Sequence, residues 1–460
     1  MIRYVAVIDL GKTNSKVALV DTQTAEEVNV VTQPSALNTT SAYPSLDHQA
    51  IKAFVIDSLA GLAAKHSLDA ITVATHGATA ALIDAAGELA LPVVDYEAQE
   101  MDTLRAEYDK HRPHFKDTGS PALPGGLNIG AQLYWQQSIY PAQFAKATTF
   151  LTWPQYWVHW LTGKRHNDIT SIAGHTDLYE PRTKRYSSLI NDMGWTSLMP
   201  PVTHPGELSG ALVEPLVKKL GLRQSIPVYT GIHDSNASLV PHLLSEHETF
   251  SVVSTGTWVI AMAIGGEPVE LDETKDTVLN VNARGECVPS ARYMGGRERD
   301  LLGVSSSASE DALVELLSIR SDPAMHMPAI VPGTGPYPNA TACWVGTGVE
   351  QSKAFRDSAI ALYLALMTHE SMQCIGSAGP TFVEGPLAHD DQFVQMLAAV
   401  STRPVYISAS QTGTSVGAAM LISPPLKPPA YELVSLASDR RHELVRYATL
   451  WQQRLHDHIK

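Results

Sequence analysis

Cysteine is scarce in this chain. Only Cys287, Cys343 and Cys374 occur in 460 residues, far apart and with no Cys-x-x-Cys pair. That spacing suggests neither a zinc site nor a disulfide framework and points to a reducing compartment. Basic residues are also in deficit: 33 Lys and Arg stand against 47 Asp and Glu, a formal net charge of -14. General nucleic-acid binding wants a basic footprint and is argued against. Any phosphate ligand must instead be held by a local device such as backbone amides, a helix N-terminus or a metal, because the overall field repels it. No stretch approaches the roughly 20 apolar residues that span a bilayer. The opening run Ile2–Ile8 is too short for a secretory signal and lacks a small-residue cleavage site. A cytoplasmic location with no membrane partner is therefore expected. There is no Gly-x-x-x-x-Gly-Lys-Ser/Thr phosphate loop at the first turn and no short-period repeat.

Apolar residues make up 44% and charged residues 17%, the composition of a folded chain, and the length calls for two or more domains. Residues 4–9 and 16–21 read as strands around the turn Gly11-Lys12-Thr13-Asn14, with a third strand over 28–33. A helix is expected over 48–65, with apolar residues at helical spacing, and then a strand over 70–74 leading into Thr75-His76-Gly77. An aromatic-rich helix is expected over 152–163, with most of its rings in the core and a cleft-facing position for Trp153 and Gln155, at the helix start, as the alternative. A short strand over 227–231 runs into His233-Asp234-Ser235-Asn236, a helix start. The strand–turn–strand pattern recurs at 250–254, Thr255-Gly256-Thr257 and 258–262, so a second domain is expected to begin near residue 246. Helices over 311–318, 352–375 and 391–401 follow, with strands ending at Glu384-Gly385-Pro386 and over 405–407. Small residues over 415–421 suit close helix packing, and a Pro-rich linker over 424–429 precedes a charged closing helix. Strand and helix patterns alternate, as an α/β architecture requires.

Three groups of residues carry the chemistry. The turn after Asp9 offers backbone N–H groups to phosphate oxygens through Gly11, Lys12, Thr13 and Asn14, with Asp9 placed to hold a magnesium ion through water. An ordinary polar hairpin turn is the plainer alternative. The turn Thr255-Gly256-Thr257 supplies the same chemistry again, and two such turns make a clamp on a triphosphate. Asp234, at the carboxyl end of an apolar strand, is a candidate general base toward a substrate hydroxyl, and equally a helix N-cap. His233 reads as its neighbour, orienting substrate. His76 and Gly77 suit a polyhydroxylated ligand, the cluster Asp95-Tyr96-Glu97 can read hydroxyl groups, and Thr170, His175 and Asp177 share one polar stretch.

Taken in order, these pieces resemble the FGGY family of carbohydrate kinases within the actin-like ATPase superfamily. The resemblance rests on Asp9-x-Gly11-x-Thr13-x-x-Lys16, Thr75-His76-Gly77, Leu161-Thr162-Gly163 and Gly231-x-His233-Asp234-x-x-Ala237-Ser238. Further points are Ser254-Thr255-Gly256-Thr257, Gly295-Gly296-Arg297-Glu298 and Gly413-x-Ser415-x-Gly417-Ala418-Ala419. It implies two actin-like (ribonuclease H-like) α/β domains with a catalytic cleft between them. Residues 1–245 would bind sugar and carry the base, and 246–460 would bind nucleotide. It implies ATP and Mg2+, Asp234 as base, and sugar contacts from His76, Gly77, Tyr96, Gln155 and His233. Phosphate contacts would come from Asp9, Gly11 to Asn14, Lys16 and Thr255 to Thr257, with Gly385, Gly413 and Ser415 near adenosine. Two positions depart from the family pattern. Glu384-Gly385-Pro386 stands where relatives have paired glycines, and Asp95-Tyr96-Glu97 stands where many carry Trp-x-Asp-x-Arg. The segments around His76 and Gly295-Gly296 lean toward kinases of 6-deoxyketoses such as L-rhamnulose and L-fuculose. An actin-like ATPase serving as an interaction module, or a kinase of another polyol or sugar acid, stays open, as does a homodimer.

Overall fold

The computed structural model describes residues 2–38, 40–245, 247–304, 309–408, 413–425 and 430–459. Part of the expected Pro-rich linker, residues 426–429, lies outside the described residues. The chain divides into two compact units: residues 1–245 with 279–287 and 412–428, and residues 246–278, 288–411 and 429–460.

The first unit is built on a seven-stranded sheet. Its opening strand, Tyr4–Leu10, pairs antiparallel with Asn14–Asp21, which pairs antiparallel with Glu26–Pro34. On its other side Tyr4–Leu10 runs parallel to Ala70–Thr75, which runs parallel to Pro227–Tyr229 and Ile232–His233. Both faces of the central strands are covered, so they read as continuous apolar runs: Val5 to Ile8 and Val17 to Val20 are all 0% exposed. Helix His48–Ala63 starts where the Asp47 carboxylate accepts from the Ala50 N–H at 3.0 Å, satisfying one of the donors a helix start leaves open. Helix Trp153–Thr162 stops at Gly163, whose φ of 76° closes it in the left-handed conformation that glycine tolerates. Its rings form part of the core: Trp153 stacks on Tyr156 at 5.2 Å and meets Trp157 edge-on at 5.1 Å.

The second unit repeats the arrangement. Phe250–Thr255, Val259–Ile264 and Cys287–Tyr293 form an antiparallel meander. Thr381–Glu384 adds parallel to Phe250–Thr255, and Val405–Ser408 adds parallel to that. The buried helix Lys353–Cys374, capped by Ser352, and Asp391–Val400, capped by Asp390, supply its apolar faces. A three-stranded meander continued by parallel strands, twice in one chain, is the actin-like (ribonuclease H-like) α/β architecture. Among the described residues no helix is long and apolar enough to cross a membrane.

Candidate active site

In the first unit the carboxyl ends of three neighbouring strands bring together most of the expected residues. Asp9 and Thr75 end adjacent parallel strands, and His233 pairs directly with Thr75. Asp9 is largely buried and is held by two partners. Lys16 Nζ lies 3.1 Å from Oδ2, and the Ser415 hydroxyl donates to the same oxygen at 3.1 Å. Burial pushes the Asp9 carboxyl above the usual range; Lys16 and Ser415 oppose this, and the charge of Asp234 adds to it. Lys16 also meets Glu27 at 3.0 Å. Burial would lower its pKa, but Asp9 and Glu27 outweigh that and raise it.

The turn residues Thr13 and Asn14 are exposed, and the Gly11 N–H closes the hairpin on the Asn14 carbonyl at 2.9 Å. Lys12 reaches out of this turn to the loop after residue 94. Its ammonium pairs with Asp95, lies 3.3 Å from Glu97 and sits 4.8 Å from the centre of the Tyr96 ring. Tyr96 in turn meets His76 edge-on at 5.4 Å. Burial, reinforced by Glu97, Asp234 and Asp95, pushes the Tyr96 phenol up to about 12, so it stays protonated.

His76 Nδ1 lies 3.0 Å from the Gly77 carbonyl, which as an acceptor fixes the proton on Nδ1 and leaves Nε2 to accept. Burial holds the His76 imidazole below its ordinary pKa, so it is neutral near pH 7. Gly77 has a steric reason to be glycine: a Cβ there would lie 2.6 Å from His233 Nε2. The same Nε2 lies 3.4 Å from Asp234 Oδ1, so the His233 ring is wedged between Gly77 and Asp234.

Asp234 is the first residue of helix Asp234–Leu243, and the capping position itself belongs to His233. Its Oδ1 accepts from the Ser235 N–H at 2.6 Å, and its side chain remains 29% exposed. A carboxylate at a helix N-terminus is favoured by the dipole and keeps an open oxygen toward solvent. Beneath it lies a supporting layer of which the sequence singled out Thr170 but not Asp168. Asp168 caps a short turn by accepting from the N–H groups of Thr170 and Ser171, both at 3.0 Å. The Thr170 hydroxyl accepts from the His233 N–H at 3.1 Å and donates to Asp168. The pattern Asp168-x-Thr170-Ser171 is a capping signal and was the available clue.

Two points that the sequence left open are decided. Trp153 does not face a cleft; it is 0% exposed because its ring completes the stack with Tyr156 and Trp157. The polar stretch around His175 and Asp177 is structural. Asp177 accepts from the Tyr108 hydroxyl at 2.6 Å and faces Arg112 at 3.3 Å, and His175 Nδ1 donates to the Leu127 carbonyl at 2.9 Å. Gln155 is 1% exposed, its amide bridging Asp168 and the Gly231 carbonyl, both at 3.2 Å. It lies under the surface formed by His233 and Asp234.

Gly413 and Ser415 fall in the first unit, where helix Thr414–Met420 packs against Asp234–Leu243 and delivers Ser415 to Asp9. A Cβ on Gly417 would lie 1.8 Å from the Ala237 carbonyl oxygen. That carbonyl is the one that Pro241, having no N–H, leaves without its helical donor.

The second unit carries its own turn. Gly256 and Thr257 are exposed, with the Gly256 N–H bonded to the Trp258 carbonyl at 2.8 Å. Two glycines permit close approach to it. A Cβ on Gly296 would lie 1.9 Å from the Gly256 carbonyl oxygen, and one on Gly385, at φ +83°, would lie 1.9 Å from that of Thr255. The Thr255 hydroxyl donates to the Glu384 carbonyl and accepts from the Leu387 N–H at 3.0 Å, stapling the turn to the adjoining parallel strand. Close behind, Glu298 is buried and accepts from the Tyr363 hydroxyl at 3.0 Å and the Val331 N–H at 3.3 Å. Burial pushes its carboxyl up to about 7.

Comparison with known proteins bears on the family and the fold. Residues 4–241 match the N-terminal domain of the FGGY family of carbohydrate kinases, and residues 247–429 match the carbohydrate kinase FGGY C-terminal domain. An L-fuculokinase of Salmonella typhi is 27% identical over 275 residues, 57% of this chain and 57% of that protein. A rhamnulokinase of Oceanobacillus iheyensis is 32% identical over 134 residues, 29% of this chain and 28% of that protein. The matches thus span between 28% and 57% of the length of these curated relatives. The crystal structure of a carbohydrate kinase from Novosphingobium aromaticivorans superposes with a TM-score of 0.92 at 33% identity, covering 99% of both chains. Both halves of this sequence therefore belong to one lineage, and the chain is a member of the FGGY family of carbohydrate kinases.

Proposed function

We propose that the chain transfers the γ-phosphoryl group of ATP to a hydroxyl of a ketose or 6-deoxyketose, with Asp234 as general base. The observation that carries this reading is the half-open carboxylate of Asp234, 29% exposed at a helix N-terminus and flanked by His233. In this reading the first unit, residues 1–245 with 279–287 and 412–428, holds the sugar and the base, and the second unit holds the nucleotide. The family resemblance of the curated fuculokinase and rhamnulokinase supports the 6-deoxyketose class.

The chain's own groups suffice for the acceptor side. His76, neutral with Nε2 free to accept, and the protonated Tyr96 phenol supply one acceptor and one donor for sugar hydroxyls. Asp234 takes the proton from the attacking hydroxyl as the bond to phosphorus forms. The exposed turns 11–14 and 255–257 offer main-chain N–H groups to phosphate oxygens.

Among the described residues no group of three or more His, Cys, Asp or Glu could hold a metal by itself. Asp9, one buried carboxylate, fits an ion bound chiefly by phosphate and water, the mode magnesium favours. Such an ion would neutralise phosphate charge.

The test is a coupled ADP-release screen over ketoses, 6-deoxyketoses, polyols and aldonic acids. Asp234→Asn is expected to cut turnover by about 10²–10⁴-fold while Mg-ADP still binds. An Asp234→Asn enzyme turning over at the wild-type rate would remove the base from the mechanism.

A further inference from the structure

The turn expected to face phosphate holds one cation, Lys12, and the strand after it holds a second, Lys16; both are engaged by carboxylates. Lys16 pairs with Asp9, its register partner on the neighbouring strand, and with Glu27. Lys12 reaches instead across to the sugar-side loop, where it meets a buried acid, an exposed acid and an aromatic face: Asp95, Glu97 and Tyr96. Its side chain is 18% exposed, so it is neither buried core nor a free surface lysine. Tyr96 passes the contact on to His76, and both residues lie within the field of Asp234. One residue thus joins the expected phosphate turn to the loop expected to read the sugar.

We propose that Lys12 couples sugar binding to phosphoryl binding: Asp95 and Glu97 hold its ammonium until sugar hydroxyls engage those acids, and the released ammonium then pairs with the phosphoryl oxygens. The proposal rests on the kinase reading above and extends it to a residue outside the base and the main-chain cradles. Its logic is competition for lone pairs. A carboxylate that accepts from sugar hydroxyls gives up part of its bonding to the ammonium. A lysine, a compact charge on a flexible stem, changes partner more readily than an arginine fork does. Before sugar arrives the cation is neutralised and contributes little to nucleotide affinity; afterwards it meets charge that develops on the phosphate oxygens, those of the ADP leaving group included.

The test is Mg-ADP affinity measured by calorimetry with and without saturating acceptor sugar, together with turnover. The sugar is L-fuculose, or the best acceptor from the screen. In the wild type the sugar is expected to raise Mg-ADP affinity by about 5-fold or more, the usual lower range of coupling between sites. In Lys12→Met that ratio falls to about 1, sugar-free Mg-ADP affinity is unchanged, and turnover drops by about 10²-fold. Lys12→Arg restores part of the ratio, an effect that a merely structural role would not give. Asp95→Asn raises sugar-free Mg-ADP affinity because the ammonium is no longer held.

A wild type without coupling, or a Lys12→Met protein that keeps both ratio and turnover, overturns the proposal. If Asp234→Asn still loses turnover in that case, the kinase reading survives and only the role of Lys12 falls. If no sugar is phosphorylated by the wild type, the kinase reading falls first.

Discussion

Gly417→Ala offers a direct measure of how far the proposed base, Asp234, depends on helix packing. The methyl group would sit 1.8 Å from the carbonyl oxygen of Ala237 and 2.7 Å from its carbon, where real Cβ contacts essentially never fall below 3.0 Å. Both obstructing atoms are backbone, so no side chain can swing aside. Helices Asp234–Leu243 and Thr414–Met420 must part by about 1.2 Å, the shortfall between those distances. Overpacking of this kind costs about 1–3 kcal/mol, which for a unit of this size lowers Tm by about 2–10 °C. The larger effect falls on function, because Asp234 is the first residue of the displaced helix. A misplacement of about 1 Å at a reacting group costs up to about 10²-fold in rate. The comparison variant is Gly61→Ala in helix His48–Ala63, where a Cβ would have nothing within 4 Å. That change is expected to stabilise by about 0.5–1 kcal/mol and leave turnover alone. Calorimetric Tm and kcat on the best acceptor from the ADP-release screen are the readouts. A Gly417→Ala protein with the Tm and kcat of the wild type would refute the argument.

Three further outcomes are expected. Glu298 binds its proton more tightly folded than unfolded, with a pKa near 7 against an ordinary value of 4.5, so the native state holds more protons between those limits. Stability should therefore fall as pH rises from about 4.5 to 7, by about 3 kcal/mol in all. Glu298→Gln should flatten that part of the Tm–pH profile, and an unchanged slope would contradict the account. Gly385→Ala forces a left-handed residue against the Thr255 carbonyl; it should lose about 1–2 kcal/mol in stability and weaken Mg-ADP binding by about tenfold, read by calorimetry. Arg112→Met would leave the Asp177 carboxylate, 0% exposed, without its cation. A loss of about 3–5 kcal/mol is expected in denaturant unfolding, with part recovered in the Arg112→Met/Asp177→Asn double variant.

Much of the architecture was legible because it is local. Each hairpin announces itself by two apolar runs around a polar, glycine-bearing turn, and the observed strands Tyr4–Leu10 and Phe250–Thr255 fall within a residue or two of the expected ones. The place of Asp234 after a strand and at a helix start was legible because an apolar strand and a glycine lead straight into it. What escaped the sequence was set by contacts between distant residues. Nothing local marks Lys12 as the partner of Asp95, 83 positions away, or brings Ser415 to Asp9 across 406 positions. The sequence left Trp153 open between core and cleft because a helix start looks alike whether it faces solvent or core, and only the stack with Tyr156 decides. Asp177 looked chemical for a related reason: a polar triad in sequence becomes a structural network only once Tyr108 and Arg112 fold against it.

The late return of residues 412–428 to the first unit has a consequence for biosynthesis. When the ribosome has made residue 245, the strands, the proposed base and the turn proposed to face phosphate all exist, yet residues 279–287 and one helix of that unit have not been translated. At about 5–20 residues per second the gap to helix Thr414–Met420 lasts roughly 10–35 s. Throughout that interval the groove left by Pro241 stands open and Asp9 lacks its serine. The nascent first unit thus waits, incomplete, for the polypeptide to pass through almost all of the second.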